Sequence, residues 1–210
     1  MSCRNTIPLI IFFLLLPCNS PAFDLHYDLS IANPSSGKGN IQIAVSNFHQ
    51  DIIEIGTFAT YEIPKRNVFN VTAFDSEGNS LPLTKKPGNP SFLPNNTDIW
   101  EIQTLGFNEI TINYEFQPTK GLVDWRTDPI YFGYISEKFA VFLAEWVLLI
   151  PGRNYQFESF SVSFHMPANW KTACPWPKQG NIYFDVLTVF ENEVNELAEI
   201  IQQVHLTVKN

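Results

Sequence analysis

The stretch that decides the fold is "FDLHYDLSI", residues 23–31. Its apolar and polar side chains alternate, so that Leu25, Tyr27, Leu29 and Ile31 point one way and Asp24, His26, Asp28 and Ser30 point the other. A period of two is typical of a β-strand with one buried face and one face in solvent. The sequence therefore predicts a half-buried strand at this position.

Similar segments follow along the chain. "IQIAVSNF" (41–48) alternates in the same way, and "VFNVTAFDSEGNSLPL" (68–83) reads as two strands around a turn at 77–79. "DIWEIQTL" (98–105) and "EITINYEFQ" (109–117) flank Gly106 and predict a second hairpin, whereas the proline-rich segment 85–96 predicts a loop. "YQFESFSVSFHMP" (155–167) predicts a strand with a bulge near Ser159. Short strands at regular spacing predict a mostly β protein, with an antiparallel β-sandwich-like domain over residues 23–185.

The last segment, residues 186–210, has a different period. Its apolar residues fall at steps of three and four, which predicts an amphipathic helix. Thr188 followed by Glu191 fits a capping box at the start of that helix. We expect the helix either to pack on the β-domain or to lead to an absent domain.

The first 22 residues have the layout of a secretory signal peptide. One basic residue, Arg4, precedes an apolar run that is too short to span a bilayer, and small residues precede an expected cleavage site after Ala22. The protein is therefore expected to be secreted or periplasmic, with no membrane span after signal removal. The net charge is −8, and an acidic chain with scattered lysines argues against nucleic acid as a partner.

The residue types needed for metal or nucleophilic catalysis form no motif in the sequence. None of the four histidines forms a His-x-x-x-His pair or an HExxH motif. His26 and His165 are expected on strand faces as ordinary polar residues. Cys174 is the one cysteine left after signal removal, so the mature chain forms no intramolecular disulfide, and we expect it to pack as a small apolar residue. We expect no catalytic residue, no metal and no cofactor.

The tryptophans offer the clearest possible binding surface. Trp100 and Trp146 lie in apolar segments, where core packing is the default. The segment 163–180 has two further tryptophans among prolines, which favours either an exposed surface or a rigid corner of the fold. The possible binding surface consists of Pro167, Trp170, Pro175 and Trp176.

Four segments taken in order resemble a known family. "VFNVTAFDSEGNSLPL", "DIWEIQTLGFNEITINYEF", "YFGYISEKFAVFLAEWVLLIP" and "SVSFHMPANWKTACPWP" are similar to the N-terminal β-domain of glycyl-aminopeptidase-type metallopeptidases. In that family the zinc-binding HExxH lies in a following helical domain, and no position of this sequence matches it. The resemblance implies a β-domain that packs beside a peptidase domain, without a catalytic residue of its own.

The expected function is that of a secreted, non-catalytic β-domain protein that binds a protein or peptide partner. The sequence leaves three alternatives open. The first is a truncated metallopeptidase that lacks its zinc domain. The second is a carbohydrate- or peptide-binding module, and the third is a small hydrolase without a recognisable motif. Its oligomeric state does not follow from the sequence.

Overall fold

The computed structural model describes residues 22–57, 68–89, 98–118, 134–141, 147–152, 155, 157–168, 170–172, 178–179, 182–185 and 207–209. A short 3-10 turn at Pro34–Ser36 joins the first two strands. The strands of this part of the chain are β1 (Phe23–Ser30), β2 (Gly39–Ser46), β3 (Ile52–Thr57), β4 (Val68–Asp75), β5 (Leu83–Pro87), β6 (Asp98–Gln103), β7 (Ile110–Phe116), β8 (Tyr134–Ile135), β9 (Phe139–Val141), β10 (Leu149–Pro151), β11 (Phe157–His165), β12 (Trp170–Thr172), β13 (Lys178–Gln179), β14 (Ile182–Asp185) and β15 (Thr207–Lys209).

The strands form three sheets. The largest has seven strands in the order β13-β14-β11-β1-β2-β7-β4. A four-stranded sheet has the order β10-β3-β6-β5, and a second one has the order β12-β15-β9-β8. The expected fold class, a mostly β, sandwich-like domain, is confirmed.

The seven-stranded sheet is mixed, because β1 is antiparallel to β2 but parallel to β11. In the parallel pair, Phe23 lies opposite Phe157 while Asp24 lies opposite Ser159, so Glu158 is an extra residue on β11. This irregularity confirms the bulge predicted near Ser159.

Two buried tyrosines join the seven-stranded sheet to the four-stranded sheet that contains β10. The Tyr27 hydroxyl donates to the Leu149 carbonyl oxygen at 2.8 Å, and the Leu149 N–H donates to the Tyr114 hydroxyl at 3.1 Å. Burial raises the pKa of both phenols well above the ordinary value, so both stay neutral. The alternating apolar residues around them are buried, as the period of two predicts.

Aromatic residues serve mainly as core in the described part of the chain. The Phe23 ring lies edge-to-face against Phe48 and Phe157, with ring centroids 5.1 and 5.2 Å apart. Trp100 is buried on β6, and the Lys85 ammonium lies 5.1 Å from its ring centroid. The prediction that Trp100 packs in the core is confirmed. Trp146 lies outside the described residues.

Two local predictions are wrong. The segments around Gly106 do not form a hairpin, because β6 belongs to a four-stranded sheet and β7 to the seven-stranded one. The turn between them has positive φ at Leu105 (56°) and Gly106 (84°), and it carries the chain from one layer to the other. The predicted loop 85–96 begins too early, because β5 pairs with β6 as far as Pro87.

The C-terminal helix predicted over residues 186–210 falls mostly outside the described residues. At its end, Thr207–Lys209 is extended and pairs with β12 and β9, so that part of the prediction is wrong. The β-branched Thr207 and Val208 favour a strand there. The predicted signal peptide lies outside the described residues except for Ala22. Among the helices that the structure describes, none is long and apolar enough to cross a membrane.

Candidate functional site

The polar side of the seven-stranded sheet carries the titratable side chains that chemistry or binding could use. We call this side, over strands β11, β1, β2, β7 and β4, the outer face. Its side chains are polar because each strand alternates, so that the residues between the buried ones point away from the core. On β1, the outer face consists of Asp24, His26, Asp28 and Ser30.

Parallel pairing of β1 with β11 brings two histidines onto one carboxylate. The register places Asp28 opposite Ser163 and Ser30 opposite His165. His165 Nε2 lies 2.8 Å and His26 Nε2 lies 3.3 Å from the same Asp28 Oδ1 atom. The other His26 nitrogen, Nδ1, lies 2.7 Å from the Ser161 hydroxyl, and Nε2 lies 3.2 Å from that of Ser163.

Sequence reasoning placed His26 and His165 on strand faces, but it missed that both contact the same carboxylate, Asp28. The two strands are 135 residues apart along the chain at the Ser161 contact, and no turn connects them directly. The available signal was weak. Both segments put polar residues on alternate positions, yet this pattern alone does not say which strands are neighbours or whether they run parallel.

Ser161, His26 and Asp28 are the residue types of a nucleophilic triad, but their setting lacks one required part. Acyl transfer needs N–H donors aimed at a developing oxyanion beside the nucleophile. Ser161 is in the middle of β11, which pairs with β1 on one side and β14 on the other. Its neighbouring backbone amides are therefore engaged in sheet ladders. Within the described residues, no group of three or more His, Cys, Asp or Glu side chains is arranged to hold a metal ion.

An open trough crosses the outer face. It consists of two adjoining hollows, of about 500 and about 490 Å³, which share Gln42 and Asn113. The first hollow reaches Asp28, His165 and Glu115, and the second reaches Asp75 and Glu109. No lysine or arginine from the described part of the chain lines either hollow. The trough is therefore polar and carries acidic groups along its length.

Two of the four carboxylates that line the trough already accept hydrogen bonds from other groups of the protein. Glu115 accepts hydrogen bonds from Lys38 and Asn70, both at 2.9 Å, and these bonds together with the Lys38 charge lower its pKa. Asp75 accepts the N–H groups of Glu77 and Asn79 at 2.9 and 2.8 Å. Burial opposes ionisation of Asp75, but the hydrogen bonds of this turn outweigh it, so its pKa is lowered.

The other two carboxylates, Asp28 and Glu109, form no ion pair with a lysine or arginine of the described residues. Both hydrogen bonds to Asp28 come from histidine and fall on Oδ1, which leaves Oδ2 without a bond from the described side chains. Glu109 is exposed where β7 begins. These two groups can accept a cation supplied from outside.

The binding surface predicted from sequence is described only in part. The Trp170 backbone N–H donates to the Pro167 carbonyl oxygen at 3.1 Å. The half-buried Trp170 side chain packs against the core. Pro175, Trp176 and Cys174 lie outside the described residues. The four-residue surface therefore stays a prediction, with Trp170 contributing to packing.

Comparisons with known proteins show a family and a fold. The family model described as "Peptidase M61 N-terminal domain" matches residues 26–191. A search of curated proteins found no match. The structure is similar to an aminopeptidase N family protein from Idiomarina loihiensis, with a TM-score of 0.62 and 14% identity over 88% of this chain. That similarity shows a shared fold, and this chain spans 29% of the length of the Idiomarina protein.

Another similar structure is an M1 zinc metallopeptidase from Deinococcus radiodurans. Its identity is 15% and its TM-score is 0.43, with coverage of 90% of this chain and 42% of that chain. Yeast LTA4 hydrolase is 13% identical with a TM-score of 0.39, and the match covers 80% of this chain and 27% of that one. The family model therefore carries the family assignment, and the Idiomarina structure shows the fold.

Proposed function

The chain belongs to the peptidase M61 N-terminal domain family, and we propose that it works as a non-catalytic β-domain that binds a protein or peptide partner. The observation that carries this proposal is the open polar trough on the outer face. Its side chains offer hydrogen-bond donors and acceptors to a ligand, and the sheet beneath holds their backbones in fixed positions. Convergent polar groups in a hollow are one feature of binding sites.

The proposal includes secretion or export to the periplasm. The N-terminal segment supports it, and β1 begins at Phe23, directly after the expected cleavage site. Cleavage there removes no residue of a described strand. Phe23 is 1% exposed, so its ring holds the new N-terminus against the core. Mass spectrometry of the exported chain tests this part, since it should give the mass of residues 23–210.

The binding proposal is tested by affinity capture from the extracellular or periplasmic fraction of the native cells. The exposed Gln42 is shared by both hollows, so Gln42→Arg should place a long cation in the trough and abolish capture. Thr84→Arg is the matched control, because Thr84 is exposed on β5 in another sheet. Equal capture by the wild-type chain and by both variants would remove the outer face from the proposal, and no capture by the wild type would remove the binding function.

A second candidate is that the β-domain works as one part of a larger peptidase. The observation that favours it is the 29% share of the Idiomarina protein that the chain covers. On this reading, the partner is a zinc-binding catalytic domain. Sequencing downstream of the gene, or finding a chain with an HExxH motif among the captured proteins, would support it. A captured partner without that motif supports the independent binding domain.

A further inference from the structure

The trough has a charge pattern that selects among ligand classes. Four carboxylates line it: Asp28, Glu115, Asp75 and Glu109. In the described part of the chain, Lys38 is the cation that pairs with one of them, and it neutralises Glu115 from outside the lining. Acidic side chains therefore outnumber lysines and arginines along the described part of the trough, which disfavours anions and favours cations.

Three of the four carboxylates have no lysine or arginine partner among the described residues, and one of these, Asp75, is held by the hydrogen bonds of its own turn. The remaining two, Asp28 and Glu109, are far apart. Asp28 lies opposite Gln42, and Gln42 lies opposite Asn113, so Asp28 and Asn113 share a row two strands apart, which is about 10 Å. Glu109 precedes Asn113 by four residues, which is about 13 Å along the strand direction. The Cα atoms of Asp28 and Glu109 are therefore separated by about 16 Å.

An extended polypeptide matches this spacing. Residues i and i+4 of an extended chain lie on the same face, about 13 Å apart. Lysine and arginine side chains are long and flexible enough to cover the remaining distance. Arginine fits especially well, because its planar guanidinium donates two parallel hydrogen bonds to a carboxylate. The amide side chains of Gln42 and Asn113, which lie in the row of Asp28 and line both hollows, can bond the ligand's backbone.

We propose that the trough binds an extended polypeptide segment with basic side chains at positions i and i+4, one at Asp28 and one at Glu109. This rests on the proposed function and names the chemistry of its partner. The histidines hold Asp28 through Oδ1 and leave Oδ2 for the incoming cation. A neutral polyhydroxyl ligand such as a sugar would not depend on these charges, and the test below separates it.

The test measures binding of short labelled peptides to the full, processed chain by fluorescence anisotropy. One peptide carries arginine at i and i+4 among serines, a second carries the neutral isostere citrulline at both places, and a third carries glutamate. We expect the citrulline peptide to bind roughly tenfold more weakly than the arginine peptide, and the glutamate peptide to show no binding. Added salt should weaken binding of the arginine peptide, because salt screens the attraction between exposed charges.

Variants locate the contacts. Asp28→Asn and Glu109→Gln should each weaken binding of the arginine peptide by roughly threefold or more. Asp24→Asn is the matched control, because Asp24 is on the same strand and face but bonds Asn47 and Ser159 outside the trough. It should leave binding unchanged. Circular dichroism checks that each variant is folded, and a variant that unfolds is replaced by the Gln42→Arg form.

Three results would overturn the inference: no binding of the arginine peptide, equal affinity for the citrulline peptide, or equal losses in the Asp24 and Asp28 variants. A saccharide that competes at the trough while arginine peptides fail would assign the site to sugars. If a natural partner is captured equally well by the Asp28→Asn, Glu109→Gln double variant, the proposed function stands and this inference falls.

Discussion

The two buried tyrosine hydroxyls that bond Leu149 should be measurable contributors to stability. Tyr27→Phe removes the donor to the Leu149 carbonyl, and Tyr114→Phe removes the acceptor of the Leu149 N–H. Neither change creates a cavity larger than an oxygen atom. The free energy of unfolding should therefore report the hydrogen bonds themselves.

The two substitutions should lower the free energy of unfolding by different amounts. A carbonyl oxygen has two lone pairs and tolerates the loss of one donor, whereas an N–H has one bond to make. We expect a loss of about 1 kcal/mol for Tyr27→Phe and about 2 kcal/mol for Tyr114→Phe. For a domain of this size each kcal/mol corresponds to roughly 3 °C in Tm. Because both bonds meet at Leu149, the double variant should deviate from additivity.

Urea denaturation of the purified chain, followed by tryptophan fluorescence, measures these differences. Tyr155→Phe is the control: its hydroxyl bonds Glu54 N–H at 2.9 Å, but Tyr155 is partly exposed, so water can replace the hydroxyl. We expect Tyr155→Phe to lower the free energy of unfolding by less than about 1 kcal/mol. If Tyr114→Phe is neutral or stabilising, the hydroxyls do not join the two sheets as described.

Three further predictions follow from local geometry. Gly39→Ala should destabilise the protein by about 1–3 kcal/mol, because the added methyl group would collide with the buried Phe116 ring; an unchanged Tm would show that the ring can move. Leu105→Asn should raise Tm, because asparagine tolerates positive φ better than leucine and Leu105 is 65% exposed; a fall in Tm would mean that the leucine makes a contact not seen here. The lowered pKa of Asp75 means that its carboxylate stabilises the fold above its unfolded value of 3.8 and that this contribution is lost as the pH falls through the folded value. Stability should therefore drop as the pH falls from 3.8 towards the lower folded value, and Asp75→Asn should flatten the drop; identical profiles would refute the role of the turn.

The strands and their buried faces could be predicted from sequence because alternation is a local property. β1, with its buried Tyr27 and half-buried His26, follows directly from its pattern. The bulge near Ser159 was also visible, as a break in the period. These features depend on a few neighbouring residues, and the tertiary structure does not override them.

Strand pairing could not be predicted, because it depends on contacts between distant segments. The sequence around Gly106 looks like a hairpin, but the two flanking strands join different sheets. The shared carboxylate of His26 and His165 depends on the parallel pairing of β1 with β11. The trough likewise combines residues from several strands, so none of its segments shows it alone.

The proposed function holds only if this chain binds a partner and does not catalyse. The most direct measurement is hydrolysis of peptide and aminoacyl substrates by the purified, processed chain, with zinc supplied in excess. We predict no turnover above the buffer and no zinc retained in stoichiometric amount after dialysis. Turnover that is removed by a chelator and restored by zinc would contradict the claim.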